Sequence, residues 1–135
     1  MSIQPFTRRD GPSGDERDTT LTTTDGVIDT RTDTPLVLAT IPVPMNDCRF
    51  AAAIARGRNV ITGESFVINI ASTFENTDGT VTAIAPDNGD DPPAYNARED
   101  TDIALSWVSV SNAVELRFVG HPNQRVRGAF HVEVL

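Results

Sequence analysis

Hydrophobic and polar residues alternate along most of the chain after residue 35, with the period of two that is typical of β-strands. Residues 64–75 show it best, because one face carries the large apolar side chains Phe66, Ile68, Ile70 and Phe74. Residues 114–119 repeat the pattern, and residues 126–134 place Val126, Phe130, Val132 and Val134 inward. The alternation predicts a body made of strands.

Glycine, proline and asparagine residues separate these runs. Asn76-Thr77-Asp78-Gly79 is typical of a hairpin turn, since glycine there allows a positive φ. Residues 57–63 and the prolines at 42 and 44 end other runs. About seven or eight strands with turns every ~8–12 residues predict one all-β domain, residues 35–135. We expect an antiparallel β-sandwich, jelly-roll-like in its connections.

Residues 47–56 allow two interpretations. Alternation places Cys48, Phe50, Ala52 and Ile54 on one face of a strand and predicts that Cys48 packs as a small hydrophobe. The alanine-rich stretch 50–56 also fits a helical turn, because alanine favours helices. We favour the strand, since the neighbouring runs alternate and need pairing partners.

Residues 1–34 lack periodic apolar positions and are rich in Thr, Asp, Arg and Gly. Such a segment cannot form a core of its own, so we predict an extended N-terminal arm. Fully extended it spans about 110 Å, against a body with a radius of gyration of about 13 Å. We therefore expect the arm to bind a neighbouring subunit. Its predicted contacts are Phe6, Leu21, Val27 and Ile28 (apolar) and Arg8, Arg9 and Arg17 (ionic).

The charge and the hydropathy of the chain limit the kinds of partner that we expect it to bind. The formal net charge is −8, from 11 basic residues, all of them Arg, and 19 acidic ones. A net basic face is needed to neutralise phosphates, so we expect no nucleic-acid partner. No stretch approaches the roughly 18 apolar residues of a membrane span. No signal peptide is evident, so synthesis in a cytoplasm is expected and a membrane partner is not.

Few residues could support catalysis. A serine or cysteine hydrolase needs a nucleophile, a base and an orienting group, and only His121 and His131 could be the base. No Gly-x-Ser-x-Gly motif occurs, and the single cysteine, Cys48, permits neither an internal disulfide nor a convincing zinc site. The sequence therefore predicts no catalytic residues, no metal and no cofactor.

The loop at residues 86–100 is the most acidic part of the chain. Its carboxylates are hard oxygen ligands of the kind that Ca²⁺ prefers, although their spacing matches no EF-hand. One aromatic residue lies among them and could contact a sugar. The candidate glycan or Ca²⁺ residues are Asp87, Asp90, Asp91, Tyr95, Asp100 and Asp102. A solvated loop is the simpler interpretation.

From Thr22 onward, the order of segments resembles a group of small virion proteins of tailed bacteriophages. The resemblance rests on a Thr-rich lead-in, Leu38-Ala39-Thr40-Ile41-Pro42, the small and Arg-rich stretch 51–58, Gly79-Thr80-Val81-Thr82, and the runs 103–110, 114–120 and 126–135. Two features depart from the pattern. His121-Pro122-Asn123-Gln124 replaces a glycine-rich turn, and Arg127-Gly128 replaces an aromatic residue.

That resemblance implies a non-enzymatic structural protein of the virion, assembled in the host cytoplasm. The expected function is capsid decoration, as a cement protein that binds the major capsid protein or other virion proteins through its arm. We expect a homo-oligomer, for example a trimer. The alternative is a β-sandwich module of a tail or fibre that binds a glycan or a receptor.

Overall fold

The computed structural model describes residues 21–84, 96–98 and 103–135. Within these ranges it contains nine strands, all paired antiparallel: β1 (Thr22–Thr30), β2 (Leu36–Pro42), β3 (Cys48–Asn59), β4 (Ser65–Thr77), β5 (Thr80–Ile84), β6 (Asn96–Arg98), β7 (Ala104–Val110), β8 (Ala113–Val119) and β9 (Val126–Val134). The predicted all-β class is confirmed. Residues 50–56 lie inside β3, so the helical alternative is wrong.

The strands form two sheets. The larger sheet has the order β1-β9-β3-β4-β5, and β6 pairs with the other end of the same edge of β4. The smaller sheet has the order β2-β8-β7. Inward-facing side chains from both sheets make one core, which is the arrangement of a β-sandwich.

Aromatic contacts join the two sheets. The ring centroids of Phe66 on β4 and Phe118 on β8 are 5.5 Å apart, and those of Phe74 and Trp107 are 5.6 Å apart, edge to face. The inward faces predicted for β4, β8 and β9 are confirmed for their most buried residues, which are Phe66, Ile68, Phe74, Val114, Leu116, Phe118, Val126, Phe130, Val132 and Val134.

The buried face of β3 is the alanine face. Ala51, Ala53 and Ala55 are buried, whereas Phe50 is 43% exposed. Cys48 is also exposed, so the prediction that it packs as a hydrophobe is wrong. The neighbours explain the choice, because Ala55 lies between Ile68 of β4 and Phe130 of β9. Those large side chains leave room only for small ones between them.

Strand β1 belongs to the larger sheet. It pairs with β9 along its whole length, from Thr22 opposite Val134 to Thr30 opposite Val126. Ile28 is 1% exposed and lies in the core. The predicted arm, residues 1–34, thus contains a strand of the body, and residues 1–20 lie outside the described residues.

The β4–β5 hairpin has the predicted turn. Asp78 and Gly79 have φ values of 58° and 86°, which fits a two-residue turn with both central residues left-handed. Asn76 holds the turn from inside the protein, since its side-chain oxygen accepts from the Gly79 N–H at 2.9 Å. Its amide nitrogen donates to the Val43 carbonyl oxygen at 2.7 Å and to Asn112 Oδ1 at 3.0 Å.

Candidate interaction surface

The larger sheet presents an outer face, on the side away from the smaller sheet. Residues directly opposite each other in antiparallel strands point to the same side, so the register defines the rows of this face. Its principal members are Asp25, Val27 and Asp29 of β1, Arg127, Ala129, His131 and Glu133 of β9, Phe50, Ala52, Ile54, Arg56 and Arg58 of β3, and Ser65, Val67, Asn69, Ala71 and Thr73 of β4.

One end of the outer face is an apolar row, formed by Leu135, Phe50 and Ile84. All three side chains are exposed. The Phe50 N–H donates to the Leu135 carbonyl at 3.1 Å, and the Leu135 N–H donates to the Phe50 carbonyl at 2.8 Å. Thr73 lies between Phe50 and Ile84 in the register. The row is therefore fixed by backbone pairing across the sheet and carries no charged side chain.

The middle of the outer face contains an imidazole between two carboxylates. His131 lies opposite Asp25, and its Nδ1 is hydrogen bonded to the Asp25 carboxylate. Its Nε2 is 3.0 Å from Oε2 of Glu133. These bonds, first that to Asp25 and then that to Glu133, raise the pKa of His131 above its usual 6.5. His131 therefore lies on the outer face of β9.

The other end of the outer face is a concave region of about 720 Å³, which we call the arginine cleft. Arg56, Arg58 and Arg127 line it together with apolar and small residues, namely Gly57, Val60, Ser65, Phe66, Val67, Gly128 and Ala129. Arg58 lies directly opposite Arg127. Arg56 is two residues away on the same face of β3, so three guanidinium groups share one small area.

Two glycines form the floor of the arginine cleft. Gly57 and Gly128 lie opposite each other where β3 and β9 meet. A Cβ atom on Gly128 would lie 2.1 Å from the Arg56 carbonyl oxygen, and one on Gly57 would lie 2.3 Å from the Arg127 carbonyl oxygen. Only glycine tolerates so close an approach of the two backbones.

Asp29 is the acidic residue that lies nearest to these arginines in the strand register, and it already has a partner. Asp29 lies opposite Arg127 on β1, but its carboxylate accepts from Arg125 Nε at 3.0 Å and Nη2 at 2.8 Å. The pKa of Asp29 is lowered chiefly by that bond, and also by the charges of Arg127 and Arg31. Among the described residues, Asp29 is thus hydrogen bonded to Arg125 and interacts with Arg127 of the cleft through its charge.

The residues predicted from sequence fall into three groups. Leu21 and Val27 are exposed at β1, and Ile28 is buried in the core of its own chain. Phe6, Arg8, Arg9 and Arg17 lie outside the described residues. So do the acidic-loop candidates Asp87, Asp90, Asp91, Tyr95, Asp100 and Asp102.

Sequence reasoning missed the arginine cleft. Arg56 and Arg58 have the i, i+2 spacing of one strand face, which was a usable signal. Arg127 comes from β9, however, and its place beside Arg58 depends on a pairing between segments far apart in the chain.

Among residues 21–84, 96–98 and 103–135, no group of three or more His, Cys, Asp or Glu side chains is arranged to hold a metal ion. In the same part of the chain, no helix has the length and apolarity needed to cross a membrane.

Comparison with solved structures finds partial likenesses to phage tailspike proteins. No known family matches the sequence, and no curated protein does. One similar structure is the tailspike protein of Acinetobacter baumannii phage AM24, with 10% identity, a TM-score of 0.46, and coverage of 84% of this chain and 26% of that one. Another is tailspike protein gp49 of Acinetobacter baumannii bacteriophage Fri1, with 11% identity, a TM-score of 0.38, and coverage of 99% and 22%.

Both likenesses are remote, and the chain spans about a quarter of the length of either tailspike. Neither is a capsid or head-fibre protein. The second is described as a capsular polysaccharide depolymerase, which is an enzyme. This finding contradicts the prediction that the present chain is not an enzyme, and that prediction is withdrawn. At such scores, the tailspike's own activity does not carry over to this chain.

Proposed function

We propose that the protein is a virion component of a tailed bacteriophage, and that it is a tail- or fibre-associated β-sandwich module that binds a surface glycan or receptor. The virion assignment rests on the segment order from Thr22 onward, which resembles small virion proteins of such phages. The binding surface is the outer face of the larger sheet. The observation that carries the proposal is the arginine cleft on that face.

The cleft is an open depression that has the volume and the mixed lining of a ligand site. Sites for small molecules and sugar units are concave, measure about 300–1,000 Å³, and combine apolar walls with a few polar groups. The arginine cleft falls in that range of volume, and Val60, Val67 and Ala129 line it beside the guanidinium groups.

The position of the cleft in the fold also favours binding. Arg56, Arg58 and Arg127 are on β3 and β9, which pair with each other over nine successive positions. Backbone on central strands is held more rigidly than backbone on loops, so the segments that carry the arginines gain little backbone order when a ligand binds.

Co-sedimentation of the full chain with encapsulated and capsule-free cells of the same bacterial strain tests this proposal. We expect saturable binding to the encapsulated cells, and competition by polysaccharide purified from them. Arg49→Gln is the matched control for substitutions of the cleft arginines, because Arg49 is paired with Asp47 and does not line the cleft. Equal binding to both kinds of cell, or no binding to any strain of a capsule panel, would contradict the proposal.

Self-association is a second part of the proposal, carried by the apolar row. Leu135, Phe50 and Ile84 expose large apolar side chains, and none of these side chains is charged. A net charge of −8 opposes contact between copies elsewhere, so the occupant that we propose for this row is the same row of a second copy. Light scattering should give an oligomeric mass that Phe50→Asp reduces, while Arg49→Gln leaves it unchanged. A monomeric wild-type protein would exclude this arrangement.

The arm remains a proposal of its own. Residues 1–20 would connect the module to a neighbouring subunit or to another virion protein. Removal of residues 2–20 should then lower co-sedimentation with the virion part that the full chain binds, while the circular dichroism of the β-body stays the same. Unchanged co-sedimentation would exclude a connecting role for the arm.

A further inference from the structure

We infer that the arginine cleft binds the carboxylate of an acidic sugar, so that the module recognises glycans that carry uronic acid units. This inference rests on the proposed function and names the ligand class of the same surface. It is carried by the charge, shape and lining of the cleft.

Three positive charges lie close together in the cleft. Like charges directly opposite each other in antiparallel strands destabilise a sheet, and Arg58 and Arg127 occupy such positions. Arg56 adds a third positive charge on the same face. Because Asp29 is already bonded twice to Arg125, the acid nearest in the register cannot fully offset them. A bound anion would remove the repulsion.

The chemistry of arginine favours a planar, two-oxygen anion. A guanidinium group presents parallel N–H donors that match a carboxylate with two hydrogen bonds at once. Two such groups side by side can hold one carboxylate from two directions.

The lining favours a sugar over an inorganic ion. A volume of about 720 Å³ is far larger than a single small anion needs, and it lies within the range of organic ligand sites. Val60, Val67 and Ala129 supply apolar wall next to the arginines. A pyranose ring has both a C–H face and, in uronic acids, a carboxylate, so it satisfies both parts of the cleft.

The test uses matched sugars on the full chain. Oligosaccharides of glucuronate, galacturonate and mannuronate are titrated by calorimetry, each beside its carboxyl-reduced counterpart, which differs only in that group. We expect at least one acidic oligosaccharide to bind, its reduced form to bind about tenfold more weakly or worse, and added salt to weaken binding. NMR of the Gly57 and Gly128 amides should report binding at the cleft floor.

Variants of the cleft arginines test whether the acidic sugar binds in the cleft. Arg58→Gln and Arg127→Gln should each lower affinity about tenfold or more, while Arg117→Gln, on the smaller sheet and paired with Glu115, should not. Circular dichroism and melting confirm that each variant is folded. Equal affinity for acidic and reduced sugars, no binding of any acidic sugar, or no loss in the cleft variants would overturn the inference.

Two outcomes separate this inference from the proposed function. Capsule-dependent binding to cells that Arg58→Gln leaves intact would overturn the inference and keep the proposed function. Arginine-dependent binding of a glutamate-rich peptide with no binding of any glycan would overturn both, and would indicate an acidic protein partner for the cleft.

Discussion

His131 of β9 lies directly opposite Asp25 of β1, and the imidazole is hydrogen bonded to that carboxylate while its second nitrogen faces Glu133. The protonated ring can donate from both nitrogens, whereas the neutral ring can donate from only one. The contact therefore ties edge strand β1 to β9 most strongly when His131 is charged.

This arrangement predicts a fall in stability at alkaline pH. The pKa of His131 is raised in the folded protein, first by Asp25 and then by Glu133, above the 6.5 of the unfolded chain. A raised folded-state pKa means that the stabilisation is fully present below 6.5 and is lost as the pH rises through the higher folded value. Melting temperatures between about pH 5 and pH 9 should fall across that window.

The variant His131→Asn is the control for this pH effect. It keeps a polar side chain of similar size but cannot titrate, so its melting temperature should change less over the window. Equal pH dependence in the wild type and in His131→Asn would show that other groups cause the effect.

Ile28 and Val27 give a direct test of β1 as part of the body. Ile28 is 1% exposed and Val27 is 79% exposed, although they are neighbours on one strand. Ile28→Ala should lower the free energy of unfolding by about 2–5 kcal/mol, and Val27→Ala by about 0.5 kcal/mol or less. Urea denaturation measures both. Equal small effects would indicate that residues 22–30 are detached from the body in solution.

The body could be predicted from sequence where large and polar residues alternate. On β4 and β8 one face is clearly the more apolar, so the pattern alone predicts that Phe66 and Leu116 face inward. On β3 both faces are apolar, and the side chains of the neighbouring strands determine which face is buried. Ala55 fits between Ile68 and Phe130, and Phe50 does not need to be buried. Local hydrophobicity does not contain that information.

Strand β1 and the arginine cleft depended on non-local pairing as well. The Thr-rich segment 22–30 has a single buried apolar side chain, Ile28, and gains its order from β9. The cleft requires the register that places Arg127 beside Arg58. Both features depend on which strands pair, and the local pattern of residues within one segment does not reveal those pairings.

Phe66 and Phe50 test the orientation of the larger sheet. Both are phenylalanines on adjacent strands, but Phe66 is 1% exposed and packs on Phe118, whereas Phe50 is on the outer face. Phe66→Ala should lower the free energy of unfolding by about 3–5 kcal/mol, and Phe50→Ala by about 0.5 kcal/mol. The two are compared by urea denaturation at low protein concentration, where self-association does not contribute. A larger loss for Phe50→Ala would mean that β3 turns its other face inward.

The side chain of Asn76 should stabilise the other end of β4 through its hydrogen bonds. Its buried side chain bonds the Val43 carbonyl, Asn112 and the Gly79 N–H at once. Asn76→Ala removes all three bonds and leaves the Val43 carbonyl buried without this donor, which should cost about 1–3 kcal/mol. Thr77→Ala, at the exposed next position, is the control and should cost about 0.5 kcal/mol. Both are measured by urea denaturation, and hydrogen exchange at the Gly79 amide should accelerate in Asn76→Ala alone. If both variants unfold at the same urea concentration, the three bonds add nothing to the stability of the hairpin.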